Sequence, residues 1–176
     1  MSQRGSGYER KERDCYETPE WVTEALLWHL PRKIYIWEPA AGSGKMANVL
    51  LRSDHAVVST DITGGYDFLD CECPTLSVPD AIVTNPPYAL ARLFIECALE
   101  RMQPNNGMVA MLLRTDYDHA ATRQHLFGEC PAFAKKLVLT KRIVWFEGPK
   151  AAPSFNHAWY IWDHRHKGEP VLAYGP

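Results

Sequence analysis

Ile34-Tyr35-Ile36-Trp37-Glu38-Pro39-Ala40-Ala41-Gly42-Ser43-Gly44 is an apolar run that closes on a glycine-bearing turn. The first four residues predict a core strand, and residues 46–52 predict the helix that follows. A strand, a tight glycine turn and a helix in that order bring backbone close to whatever lies above the strand end. The turn is not G-x-G-x-x-G, and the glycine that a phosphate loop needs upstream of Gly44-Lys45 is absent. Taken alone, it equally suits a helix packed tightly on a sheet.

The pattern repeats outward from this unit. Residues 56–60 predict a second strand, ending at Asp61-Ile62. Gly64-Gly65 predicts a turn, followed by Tyr66-Asp67-Phe68-Leu69. Residues 80–84 predict a third strand, and 90–102 an amphipathic helix with Leu90, Leu93, Phe94, Cys97 and Ala98 on one face. Residues 108–113 predict a further strand, and 118–127 a helix capped at Asp118. Upstream, Thr18-Pro19-Glu20 predicts a helix start, with Thr18 as cap. Strands are expected at 137–139, 143–146 and 159–162, the last ones closing as an antiparallel hairpin. Strands alternating with helices imply an α/β fold with a mostly parallel sheet.

Asn85-Pro86-Pro87-Tyr88 ends the third strand with two residues that have no backbone N–H. The residue before each proline is pushed toward extended geometry. The segment is therefore a stiff bracket that holds an amide, free carbonyls and an aromatic face together. Such a bracket suits a planar –NH2 group beside a stacked ring. Asp61 lies 19 residues after Gly42, at the end of the second strand. An acid about 20 residues past the glycine turn hydrogen-bonds ribose hydroxyls in dinucleotide folds. Its alternative role is a turn cap.

In this order, the pieces resemble the class I S-adenosylmethionine-dependent methyltransferases, and the Asn85 bracket narrows the resemblance to those that act on amines. Asp14-Cys15-Tyr16-Glu17-Thr18-Pro19 resembles the segment preceding the glycine motif in DNA adenine-N6 methyltransferases. The likeness spans roughly residues 14–114. It implies a Rossmann-like, seven-stranded, mostly parallel sheet with one antiparallel strand and helices on both faces. It implies S-adenosyl-L-methionine as cofactor, leaving S-adenosyl-L-homocysteine. Tyr16, Thr18 and Pro19 are expected at its methionine end, and Glu38, Pro39, Ala40, Gly42 and Gly44 along the central turn. Asp61 and Ile62 are expected at ribose and adenine, with Asp67 and Phe68 at the adenine edge and face.

At the bracket, Asn85 Oδ1 and the Pro86 carbonyl are expected to accept the two N–H bonds of the target amine, with Pro87 stiffening the corner and Tyr88 stacking on the base. A buried duplex amine must be flipped out to reach them. Phe155 and Phe146 are the candidates for a second aromatic wall, although Phe155 could equally plug its loop onto the core. Lys141 and Arg142, with Arg4, Arg10, Lys11, Arg13, Lys135, Lys136, Arg165 and Lys167, are local basic sites able to meet phosphates. His157, next to the loop, is a further pocket candidate.

Several function classes are bounded by composition. The 176 residues carry a net charge of −2, so no global basic field points at nucleic acid. No apolar stretch approaches the roughly 18–20 residues of a membrane span, and residues 1–13 form a charged arm without an export signal. Five cysteines without framework spacing suggest reduced thiols and a cytoplasmic protein. No metal is expected: Cys71-x-Cys73 lacks the zinc-knuckle gap, and tail histidines such as His164 and His166 are mostly solvated. Residues 14–176 are expected to form a single domain without a separate target-recognition domain, as a monomer or weak dimer. The compact form resembles methyltransferases carried by phages and other mobile elements. The expected partner is nucleic acid, DNA above all. An RNA base, a protein glutamine, or binding of nucleic acid without catalysis are the alternatives.

Overall fold

A computed structural model describes residues 16–145 and 155–176. The predicted arm at residues 1–13 and Phe146 lie outside the described residues. The elements run α1 (Glu20–Leu27), β1 (Tyr35–Glu38), α2 (Lys45–Arg52), β2 (Ala56–Ser59), β3 (Ala81–Thr84), α3 (Ala91–Met102), β4 (Met108–Arg114), β5 (Phe133–Leu139), β6 (His157–Asp163) and β7 (Val171–Gly175). They form one seven-stranded sheet in the order β2-β1-β3-β4-β6-β5-β7. Every neighbour pair is parallel except those made by β6, which runs against both β4 and β5. The expectation of a mostly parallel sheet with one reversed strand therefore holds.

Alternation along the strands builds two cores, one on each face. Ile36, Val83, Ala110, Leu112, Trp159 and Ile161 meet Val22, Leu26, Met46 and Leu50 of α1 and α2. Trp37, Ile82, Val109, Met111, Tyr160 and Trp162 meet Phe94, Ile95, Ala98 and Met102 of α3. Helices thus cover both faces, as a parallel sheet requires. Among the described residues no helix is long and apolar enough to cross a membrane.

Four local expectations are corrected and one strand is added. Residues 143–145 are not a strand; Ile143 is a buried plug, and the partner of β6 is the longer β5. The additional edge strand β7 pairs parallel to β5. Residues 118–127 form 3-10 turns, Tyr117–His119 and Ala121–Leu126, broken at the extended Ala120, because Asp118 is held by Lys136 instead of capping a helix. Thr18 is buried and does not cap α1, whose N-cap is Pro19. The buried stripe of α3 is Ala91, Phe94, Ile95, Ala98 and Met102, with Leu90 and Leu93 turned outward.

From β1 the chain steps to β2 on one side and later to β3 on the other. Strand order reverses there, and ligands of open α/β sheets sit beyond the carboxyl ends of such strands.

Candidate functional site

A cleft of about 200 Å³ lies at that reversal point. Glu38, Pro39, Ala40 and Gly42 enter it from the end of β1, and Asp61 and Ile62 from the end of β2. Asp67 and Phe68 follow from the next loop, Asn85 and Pro87 from the end of β3, and Tyr16 and Thr18 from the segment before α1. Ten positions expected at the cofactor, together with Asn85 of the bracket, thus line one cavity, though they are scattered over 70 residues. Pro19 and Gly44 do not line it. Gly44 instead sits behind it as the left-handed N-cap of α2, at φ 82°. Gly42 is also left-handed, at φ 53°, a conformation that glycine adopts without steric cost.

The first two loops are tied together. Thr60 N–H donates to the Glu38 carbonyl at 2.9 Å, and Ala41 N–H to the Thr60 carbonyl at 3.0 Å. Asp61 Oδ2 accepts from Gly42 N–H at 2.9 Å, and its Oδ1 accepts from the Thr63 N–H and hydroxyl at 2.9 and 2.7 Å. Partial burial pushes the Asp61 carboxyl up, but the Thr63 and Gly42 hydrogen bonds outweigh it and hold the group below its ordinary value. Asp61 is therefore both the turn cap and a cleft carboxylate. A carboxylate has about four acceptor positions, and these three bonds leave one on Oδ2.

Glu38 is only 2% exposed, and its Oε2 has no hydrogen-bond partner. Burial pushes its pKa up to about 8, the Ala47 backbone N–H pulls the other way, and the nearby Asp61 charge adds to the rise. A buried acceptor without a donor, lining a cavity, is suited to a ligand cation or N–H.

The bracket presents the second such acceptor. Asn85 Nδ2 donates to the Tyr16 carbonyl at 3.2 Å. That carbonyl can only accept, so the amide is oriented, and Oδ1 is left buried without a partner. Leu90 N–H takes the Pro87 carbonyl at 2.9 Å, which starts the 3-10 turn Tyr88–Leu90. Among the described residues no hydrogen bond falls on the Pro86 carbonyl.

Pro86 and Tyr88 do not line the cavity itself. Tyr88 belongs to an aromatic group beside it. Its ring lies 6.5 Å from Tyr16 and 6.2 Å from His157, and Trp145 lies 5.5 Å from Tyr16 and 5.2 Å from His157. Sequence reasoning missed Trp145, which stands next to the candidate Phe146. An indole beside an aromatic candidate, at the end of the apolar run Ile143-Val144, was the available signal.

Other candidates fall elsewhere. Phe155 is outside the cavity and exposed, with the Arg114 guanidinium 3.9 Å over its ring, so it does not plug the core. Lys141 lies over Trp21 at 5.0 Å, and Arg142 is exposed; neither reaches the cavity. Lys136 is paired with Asp118 and Arg165 with Asp163, while Lys135 meets His29, so these cations are partly answered within the chain. His164 and His166 each face a backbone carbonyl, of Leu99 and Gly168.

No family model matches the sequence, and no curated protein matches it. Solved structures share the fold. A Listeria monocytogenes protein assigned to the class I S-adenosylmethionine-dependent methyltransferases superposes with a TM-score of 0.64 at 12% identity, over 89% of this chain and 65% of that one. A Pyrococcus horikoshii protein assigned as an RNA methyltransferase gives 0.57 at 14% identity, over 89% of this chain and 87% of its own. A modification subunit assigned to a type I restriction enzyme of Vibrio vulnificus gives 0.57 at 16%, over 97% of this chain but 48% of its own. At these identities the likeness is one of fold, and the chain has the Rossmann-like architecture of class I methyltransferases.

Proposed function

We propose that this protein is an S-adenosylmethionine-dependent methyltransferase acting on the exocyclic amine of adenine in DNA. The buried, unpartnered Oδ1 of Asn85, oriented by the Tyr16 carbonyl at the edge of the cleft, carries this proposal.

The cofactor suits the residues present. Glu38 Oε2 would take its α-ammonium, the remaining acceptor position on Asp61 Oδ2 a ribose hydroxyl, and Ile62 and Phe68 would flank an apolar ring face. Bound there, S-adenosylmethionine supplies a methyl carbon made electrophilic by its sulfonium. Everything else falls to the chain. The lone pair of an adenine amine is delocalised into the ring, which makes it a poor nucleophile. Asn85 Oδ1 and the Pro86 carbonyl accept its two N–H bonds and draw the nitrogen toward tetrahedral geometry. The lone pair is then free to attack. Neither group is a strong base; as the N–C bond formed, the methyl–sulfur bond would break to leave a neutral thioether, and the amine's proton would then pass to water. Catalysis is therefore orientation plus electrostatic stabilisation. Tyr88, with Tyr16 and Trp145 near it, offers ring faces for an extruded base.

DNA is favoured because Tyr16-Glu17-Thr18-Pro19 resembles the corresponding segment of the DNA adenine-N6 enzymes, and this same segment orients Asn85. The test is transfer of a labelled methyl group from S-adenosylmethionine to DNA, RNA and protein in parallel, followed by digestion. N6-methyladenine from DNA is the expected product. Label found only in RNA or in protein glutamine overturns the DNA substrate. No transfer together with no heat of cofactor binding overturns the enzyme.

A further inference from the structure

We propose that His157 is a positioning residue for Tyr88, holding the phenol so that the ring face stays presented to a planar acceptor. The proposal rests on the methyl-transfer function above. His157 opens β6, 69 residues beyond Tyr88, and is paired in register with Arg114 of β4. Its Nε2 lies 3.0 Å from the Tyr88 hydroxyl, and the two rings are near-parallel at 26°. Trp145 meets the imidazole edge-on at 82°. The imidazole is only 2% exposed, so strand pairing and packing both fix it.

Pro86 and Pro87 stiffen the backbone, with Pro87 at φ −59°, but a stiff backbone does not by itself set the Tyr88 side-chain torsions. The turn that follows is a short 3-10 piece, and Tyr88 is only half-buried. A hydrogen bond to a rigid strand residue restricts those torsions before any acceptor arrives, which is preorganisation. The imidazole is neutral at pH 7: burial pushes its pKa down to about 4, with Arg114 on β4 adding to the fall and the Phe155 backbone and Asp116 opposing it. His157 does not line the cleft and its Nε2 faces the phenol, so it acts through Tyr88 and not on the reacting atoms.

A double-mutant cycle tests this. Tyr88→Phe keeps the stacking ring and removes the hydroxyl; His157→Phe keeps a ring and removes the nitrogen. Each is expected to raise KM for the acceptor about fivefold, the worth of one neutral hydrogen bond, with kcat within about twofold. Cofactor affinity by calorimetry should not move. The double variant should be no worse than either single one, and His157→Gln, which keeps a hydrogen-bonding atom, should recover most of the loss. Multiplying effects in the double variant, or an unchanged KM in the single ones, overturn the proposal. Should His157→Phe fail to fold, Tyr88→Phe with the ring 15N spectrum of His157 carries the test. Loss of the hydroxyl should shift the Nε2 resonance, and an unmoved resonance overturns the contact. That spectrum is independent of turnover. If the wild-type protein transfers no methyl group to any acceptor while the resonance shifts, the methyl-transfer function falls and the Tyr88–His157 contact stands.

Discussion

The two halves of the sheet are built differently. β1, β2 and β3 have four residues each, whereas β4, β5 and β6 have seven. The long half holds fully buried Trp159, Tyr160 and Trp162, and the polar atoms of these three rings are answered. Trp159 Nε1 donates to the Val22 carbonyl at 2.8 Å, and Trp162 Nε1 to the Leu126 carbonyl at 2.6 Å. The Tyr160 hydroxyl lies 3.1 Å from the Arg114 carbonyl, the Thr115 carbonyl and Asp118. The short half ends in the cleft and leaves Glu38 Oε2 and Asn85 Oδ1 buried without donors. The large rings of the long half are satisfied within the fold, whereas the cleft end of the short half carries unfavourable groups that a ligand site needs.

This contrast can be broken from either side. Trp162→Ala should give the largest change in stability, a loss of about 3–5 kcal/mol in urea unfolding, because it opens a cavity and strands the Leu126 carbonyl. An equally large loss on Asn85→Ala would erase the distinction. Asn85→Ala removes an acceptor that already lacks a donor and one hydrogen bond to the Tyr16 carbonyl, so its unfolding free energy should stay within about 1 kcal/mol of wild type. Its methyl-transfer rate should instead fall roughly 100- to 1,000-fold, the usual effect of losing a preorganised electrostatic group.

Glu38 sharpens the comparison through pH. A carboxyl raised in the folded state contributes stability that is fully present below its unfolded value. That contribution is lost as pH rises through about 8. Wild-type stability should therefore decline relative to Glu38→Gln between roughly pH 5 and 8, by up to about 1 kcal/mol per pH unit. Urea melts across that range measure it; parallel curves would show that Glu38 titrates normally. The smallest effect is expected from Asp61→Ala, which should weaken the cofactor about tenfold while leaving kcat largely intact. Calorimetry and initial rates separate the two quantities.

The fold was legible where apolar runs are uninterrupted. Strands β1, β3 and β4 announce themselves, because both faces of a parallel sheet are buried and their residues read as continuous hydrophobic blocks, while the partly exposed edge strand β2 was legible from Ala56-Val57-Val58 alone. β5 was cut short because Lys135 and Lys136 interrupt its run; only the folded chain supplies His29 and Asp118 to receive them. β7 was invisible because an edge strand exposes Val171, Leu172 and Tyr174 and follows Pro170 without alternation. Residues 143–145 misled in the opposite sense, since a buried Ile143 inside a loop looks like strand material. At the candidate site, the residues after strand ends could be read from turn chemistry. The aromatic group could not, because Tyr16, Tyr88, Trp145 and His157 are joined only by tertiary packing.

The bridge from Asp61 to Gly42 joins segments that belong to different strand–loop units. One carboxylate thereby sets the spacing of two jaws. A guest hydroxyl takes the acceptor position that the Gly42 amide leaves open on Oδ2, so filling the cleft and holding the two jaws at their spacing fall to one oxygen. Hydrogen exchange at that single amide becomes a built-in gauge of loading, readable without any acceptor present.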